Sequence, residues 1–100
     1  MYCLTDLLQL AVNESADELQ LASGKAPVII VRGQLRALDL PGLSADNVAE
    51  LFSSFASSEQ AEELRRCGDT RFNYVSPSFG RFAVKASAER ERFTLTMKPL

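Results

Sequence analysis

Arg81, Lys85, Arg90 and Arg92 fall inside one short stretch near the end of the chain. Cationic side chains presented from strand ends can reach a phosphate held by another molecule, and an arginine can grip it through two parallel hydrogen bonds. In the run from Arg81 to Ala86, Phe82, Val84 and Ala86 alternate with Arg81, Ala83 and Lys85, so a strand would put Arg81 and Lys85 on the face away from its core side. Arg90 and Arg92 then lie in or beside the next turn. Such a set would lend charge to a site whose reacting groups sit elsewhere.

The chain supplies few reacting groups of its own. It has no histidine, which removes the usual neutral-pH acid–base and the commonest metal ligand. A serine nucleophile would need Lys25 or Lys85 as its base. The neighbouring carboxylates Asp17-Glu18 and Glu62-Glu63 point in different directions on a strand or helix and read as solvated, not as an acid–base pair. Cys67 follows Arg65 and Arg66, which favour a thiolate, but a helix C-terminus opposes one, so it reads as an inert thiol. Ser23-Gly24-Lys25 imitates the tail of a phosphate-binding loop, yet no GxxxxGK[ST] or GxGxxG sequence occurs. It is followed by Pro27 and a strand-like run, so no helix N-terminus follows it, and it reads as a turn. No catalytic and no metal-binding set emerges.

One hundred residues, 46% of them hydrophobic, suit one domain with its own core. Cys3 and Cys67 lack metal-type spacing. A disulfide between them is one reading and two reduced thiols the preferred one. Residues 1–64 carry three basic and ten acidic side chains, whereas residues 65–100 carry eight basic and three acidic. This asymmetry points either to an anionic ligand or acidic partner near the C-terminal part, or simply to solvated strand faces. The opening MYCLTDLLQLAV has no basic leader and no run approaches the ~20 apolar residues of a membrane span, so the expected location is cytoplasmic.

Periodicity supplies the elements. Leu4, Leu7, Leu8 and Ala11 predict a helix over 5–13 capped by Thr5. Leu19 and Leu21 predict a strand, and VIIV at 28–31 a strand covered on both faces. Arg32-Gly33 makes a tight hairpin into QLRAL. Ser44 caps a helix over 45–55 marked by Val48, Leu51, Phe52 and Phe55. Ser57 and Gln60 form a capping box for a third helix ending at Gly68. Three strands follow, RFNYV, RFAVKA and RFTLTMK, as an antiparallel meander with one buried face. Phe72, Tyr74, Phe82 and Phe93 point inward, which argues against an RNA-stacking sheet. The fold class is α+β: an antiparallel sheet of about five to six strands with three helices packed on one face.

Two segments resemble a known family. ADELQLASGKAPVIIVRGQLRAL is similar to the A-S-D-L-H-L-S-A-G-x-P-P-x-x-R-x-x-G-x-L segment of the N-terminal domain of PilT-type twitching-motility ATPases. SSEQAEELRRCGDTRFNYVSPSFGRFAVKAS resembles the same domain's stretch that closes on P-G-x-G-R-F-R-V-N. The likeness runs over essentially all 100 residues in order. It implies a PAS-like domain over residues 1–100 that packs on an ATPase domain of its own or a neighbouring subunit in a hexameric ring. In that ring ATP and magnesium belong to the ATPase domain, and the ring serves type IV pilus or type II secretion machinery at the inner membrane. The resemblance further implies nucleotide-proximal or interface roles for Arg81 and Arg90. Gln20 stands at the family's histidine, Ile30 and Ala83 at arginines, Lys85 at an asparagine, and Glu91 at the glycine after Arg90. The alternative is a stand-alone PAS-like adaptor or small-ligand-binding regulatory domain; neither reading invokes nucleic acid.

Overall fold

The computed structural model describes residues 4–90 and 92–100. In chain order these form α1 (Leu4–Asn13), β1 (Glu18–Ala22), β2 (Val28–Val31), β3 (Gln34–Ala37), α2 (Ala45–Ser53), α3 (Ser58–Cys67), β4 (Asp69–Ser76), β5 (Gly80–Glu89) and β6 (Arg92–Pro99). The six strands form one antiparallel sheet in the order β3-β2-β1-β6-β5-β4. Three helices lie over a single face of it, which is the α+β architecture expected from the periodicity.

The order explains the placement of the helices. β3 and β4 are consecutive in sequence but sit at opposite edges of the sheet. The chain between them must cross the whole sheet, and it does so as α2 and α3. Val48, Leu51 and Phe52 of α2 and Leu64 of α3 are buried in that crossing. α2 lies over β6 and β1, α3 over β4 and β5, and α1 against β1. Beneath them the strands present Leu19, Leu21, Ile29, Phe82, Val84, Ala86, Leu95 and Met97, joined by Leu4, Leu7, Leu8 and Ala11 of α1. Cross-strand register stacks these side chains directly: Leu21 faces Leu95, and Leu95 faces Ala86.

Phe52 and Phe55 meet Phe72, Tyr74 and Phe93 under α2, with ring centroids 4.9–6.2 Å apart. The strand aromatics therefore face the helices, as their alternation predicts.

Local signals account for most boundaries. Ser44 caps α2 and Ser57 caps α3, each in a reciprocal capping box, the first closed by Asn47 and the second by Gln60. Gly68 ends α3 at φ +83°, in the left-handed region. Arg32 and Gly33 both take positive φ, 53° and 78°, as a two-residue hairpin loop between the paired Val31 and Gln34 requires.

Three expectations need correction. Thr5 lies inside α1, which already includes Leu4, so it does not cap that helix. α2 ends at Ser53, short of Phe55, because Ser54 closes the helix. β2 is not covered on both faces: of its four residues only Ile29 is buried. Among the described residues no second layer covers the far side of the sheet, and β2's outer edge is paired with the fully exposed edge strand β3.

Candidate functional site

The sheet face opposite the helices is open, and it carries most of the cations singled out by sequence. Arg81 and Lys85 do share this face of β5, four residues apart. Arg90 does not join them. It lies in the β5–β6 turn at φ 52°, nine residues beyond Arg81 and about 30 Å further along at ~3.4 Å per residue. Arg92 opens β6 at that same end, across from Glu89. The set is therefore split between two ends of one long strand, and Arg81 and Arg90 cannot grip a single phosphate together.

The structure assembles a different group around Lys85. The register of the β4–β5 hairpin sets Arg71 directly opposite Lys85, and that of β5–β6 sets Thr96 opposite Lys85 and Lys98 opposite Ala83. Arg71, Lys85 and Lys98 line an open trough of about 550 Å³ whose floor includes Ala83 and Thr96 and whose far wall includes Glu18. Sequence reading missed Arg71 and Lys98. The signal was present in the SPSFG turn: pairing outward from Ser76 and Gly80 places residue 71 against residue 85.

None of the three cations is ion-paired or hydrogen-bonded to another described residue. The ion pairs among the described residues are Arg36–Glu14 at 3.3 Å and Arg65–Glu62 at 3.4 Å, both well exposed and worth little to stability. Directly opposed like charges in a sheet repel, so the Arg71–Lys85 pair is unfavourable as it stands.

The other candidate groups are structural. Ser23 donates its N–H to the Phe93 carbonyl at 3.0 Å, and its Oγ accepts the Phe93 N–H at 3.1 Å, which ties the SGKAP turn to β6. The Gly24 N–H meets the Leu43 carbonyl at 2.6 Å, and the Leu43 N–H meets the Lys25 carbonyl at 2.9 Å. The turn's backbone is thus engaged with the 38–44 linker, and β2 follows it where a phosphate loop would start a helix. The Asp17 carboxylate accepts the Arg32 N–H at 3.1 Å, and Glu62 pairs with Arg65 on α3. Cys67 is free and exposed at the end of α3; Cys3 lies outside the described residues. Among the described residues no three Cys, Asp or Glu side chains gather where they could hold a metal ion, and no helix is long and apolar enough to cross a membrane.

Comparison with known proteins gives the whole chain a context. The type IV pilus retraction ATPase PilT of Pseudomonas aeruginosa strain PAO1 is 30% identical over 83 residues, which is 83% of this chain and 24% of that protein. A crystal structure of the pilus retraction motor PilT with bound ADP superposes on all of this chain with a TM-score of 0.92 at 22% identity. In sequence and fold the chain corresponds to the N-terminal domain of PilT-type ATPases. The ATPase DotB of Legionella pneumophila also shares this PilT-type fold, with a TM-score of 0.80 over 96% of the chain at 20% identity. No family model matches the chain. The chain spans about a quarter of the length of the PilT it matches in sequence, and 28–29% of these two solved relatives.

Proposed function

We propose that residues 1–100 form the non-catalytic N-terminal domain of a PilT-type ATPase. Its role is to pack on an ATPase domain of the same or a neighbouring subunit, in a hexameric ring that drives type IV pilus retraction or a related secretion machine. The observation that carries this reading is the agreement of two likenesses to PilT, 30% identity over 83 residues and a TM-score of 0.92 over the whole chain. ATP and magnesium then belong to the ATPase domain of the parent protein, in the cytoplasm beside the inner-membrane pilus machinery. This domain contributes a rigid sheet, whose helix-covered face holds the core and whose open face is left for contact. Because Arg81 and Arg90 stand at opposite ends of β5, each would serve a separate contact, and only one of them a given nucleotide.

An antibody raised against the domain tests the parentage in a lysate of the source organism. A band several-fold heavier than 11.0 kDa supports an ATPase parent, and a band at 11.0 kDa supports the stand-alone adaptor instead. In the full-length parent, Arg81→Ala is expected to lower ATP turnover by about tenfold or more if Arg81 stabilises charge on the transferring phosphoryl group. Unchanged turnover would remove the charge-donor role and leave the scaffold role standing.

A further inference from the structure

Arg71, Lys85 and Lys98 sit on three adjacent strands. With strands ~4.8 Å apart and ~3.4 Å per residue, the backbone positions of Arg71 and Lys98 are about 12 Å apart, with Lys85 between them. All three side chains are exposed, and none has a counter-ion among the described residues. The trough they line opens broadly to solvent over small residues, Ala83 and Thr96. A pocket for a small ligand would instead enclose most of it. Glu18 on the far wall would oppose a compact, multiply charged phosphate more strongly than it would carboxylates spaced along a chain. Beyond Glu18 the same face turns apolar: Glu18 is paired with Ile30, and Ile30 with Leu35, which is 69% exposed.

We propose that this open face docks an acidic segment of a protein partner, with at least two carboxylates meeting Arg71, Lys85 and Lys98 and an apolar side chain resting on Ile30 and Leu35. The proposal deepens the docking role assigned above by naming the chemistry of what the face receives. Bound carboxylates relieve the repulsion between Arg71 and Lys85, which gives the free face a reason to be occupied. The trough lies between the two ends of β5 and is distinct from the positions of Arg81 and Arg90.

The test needs no ATPase, so its failure is separable from failure of the parentage. Amide NMR shifts of the 100-residue chain would be followed while a synthetic ten-residue oligoglutamate ending in leucine is added at low salt. The expected result is a saturable, salt-sensitive shift centred on Arg71, Lys85, Thr96 and Lys98, with a smaller one at Ile30 and Leu35. Lys85→Glu should weaken binding by about tenfold, while Arg66→Glu, on the outside of α3, should not. Lys85→Glu also replaces a repelling cross-strand pair by an attracting one, so its melting midpoint should not fall; Lys98→Glu serves as the second variant. Equal binding by the wild type and both trough variants would overturn the proposal. So would tighter binding of inorganic pyrophosphate at the same amides, or shifts spread over Arg32, Arg65 and Arg66 to the same extent.

Discussion

Arg32 holds a left-handed conformation, φ 53°, in a two-residue hairpin loop. For a side chain with a β-carbon that conformation costs about 1–2 kcal/mol, whereas asparagine tolerates it through its short polar side chain. The Asp17 carboxylate offsets part of the cost by accepting the Arg32 N–H, a bond that any non-proline residue at 32 would keep. Arg32→Asn is therefore expected to stabilise the protein by about 0.5–1 kcal/mol, read as a higher melting midpoint. An unchanged or lower midpoint would show that the arginine side chain makes up the difference. The hairpin itself was legible in Arg32-Gly33. The residues of the candidate trough were legible one at a time, but their grouping was not. Arg71 is an ordinary outward position of an alternating strand until a partner strand places Lys85 beside it.

Helix and strand ends were read most securely where a side chain closes them. Ser44 and Ser57 satisfy orphan N–H groups at the starts of α2 and α3, and that chemistry is local enough to be visible in four residues. Gly68 closes the other end of α3, its N–H donating to the Leu64 carbonyl at 2.9 Å. A β-carbon there would make only ordinary contact with the Ala88 carbonyl oxygen, at 3.7 Å, so the cost of Gly68→Ala is mainly backbone strain. Urea unfolding should register a loss of about 1–2 kcal/mol; a neutral result would mean that α3 can end elsewhere without penalty. Reading failed where an element's environment, not its own sequence, decided the outcome. The run VIIV has the composition of a strand buried on both faces, yet β2 lies second from the edge of a one-layered sheet and buries only Ile29. Its length and residue types were sufficient to make it a strand, but not to say how many layers would cover it.

At the scale of the molecule, one core under three helices carries stability, and Leu21 and Leu7 stand fully buried within it. Leu21 lies on β1, where the two halves of the sheet join through β6. Leu21→Ala should cost about 2–5 kcal/mol, a large share of the ~5–15 kcal/mol of a domain this size. A midpoint shift in denaturant below the equivalent of 1 kcal/mol would show that the core collapses to fill the gap. The layers also differ in charge. α2 and α3 carry Asp46, Glu50, Glu59, Glu62 and Glu63 against Arg65 and Arg66, whereas the open face carries Arg71, Arg81, Lys85, Arg92 and Lys98 against Glu18, Asp69 and Glu89. The sequence showed that asymmetry only as an acidic first part and a basic last part; folding turns it into two opposed sides. By itself the sequence determined the elements, the caps of α2 and α3, the inward faces of the strands and the α+β class, because each rests on periodicity or on contacts a few residues apart. Only the tertiary structure decided that β1 pairs with β6, that Arg81 and Arg90 end far apart, and that Arg71, Lys85 and Lys98 share one trough. The first depends on pairing between strands distant in the chain, the second on how far β5 runs, and the third on the register of two successive hairpins, none of which the pattern within a single strand encodes.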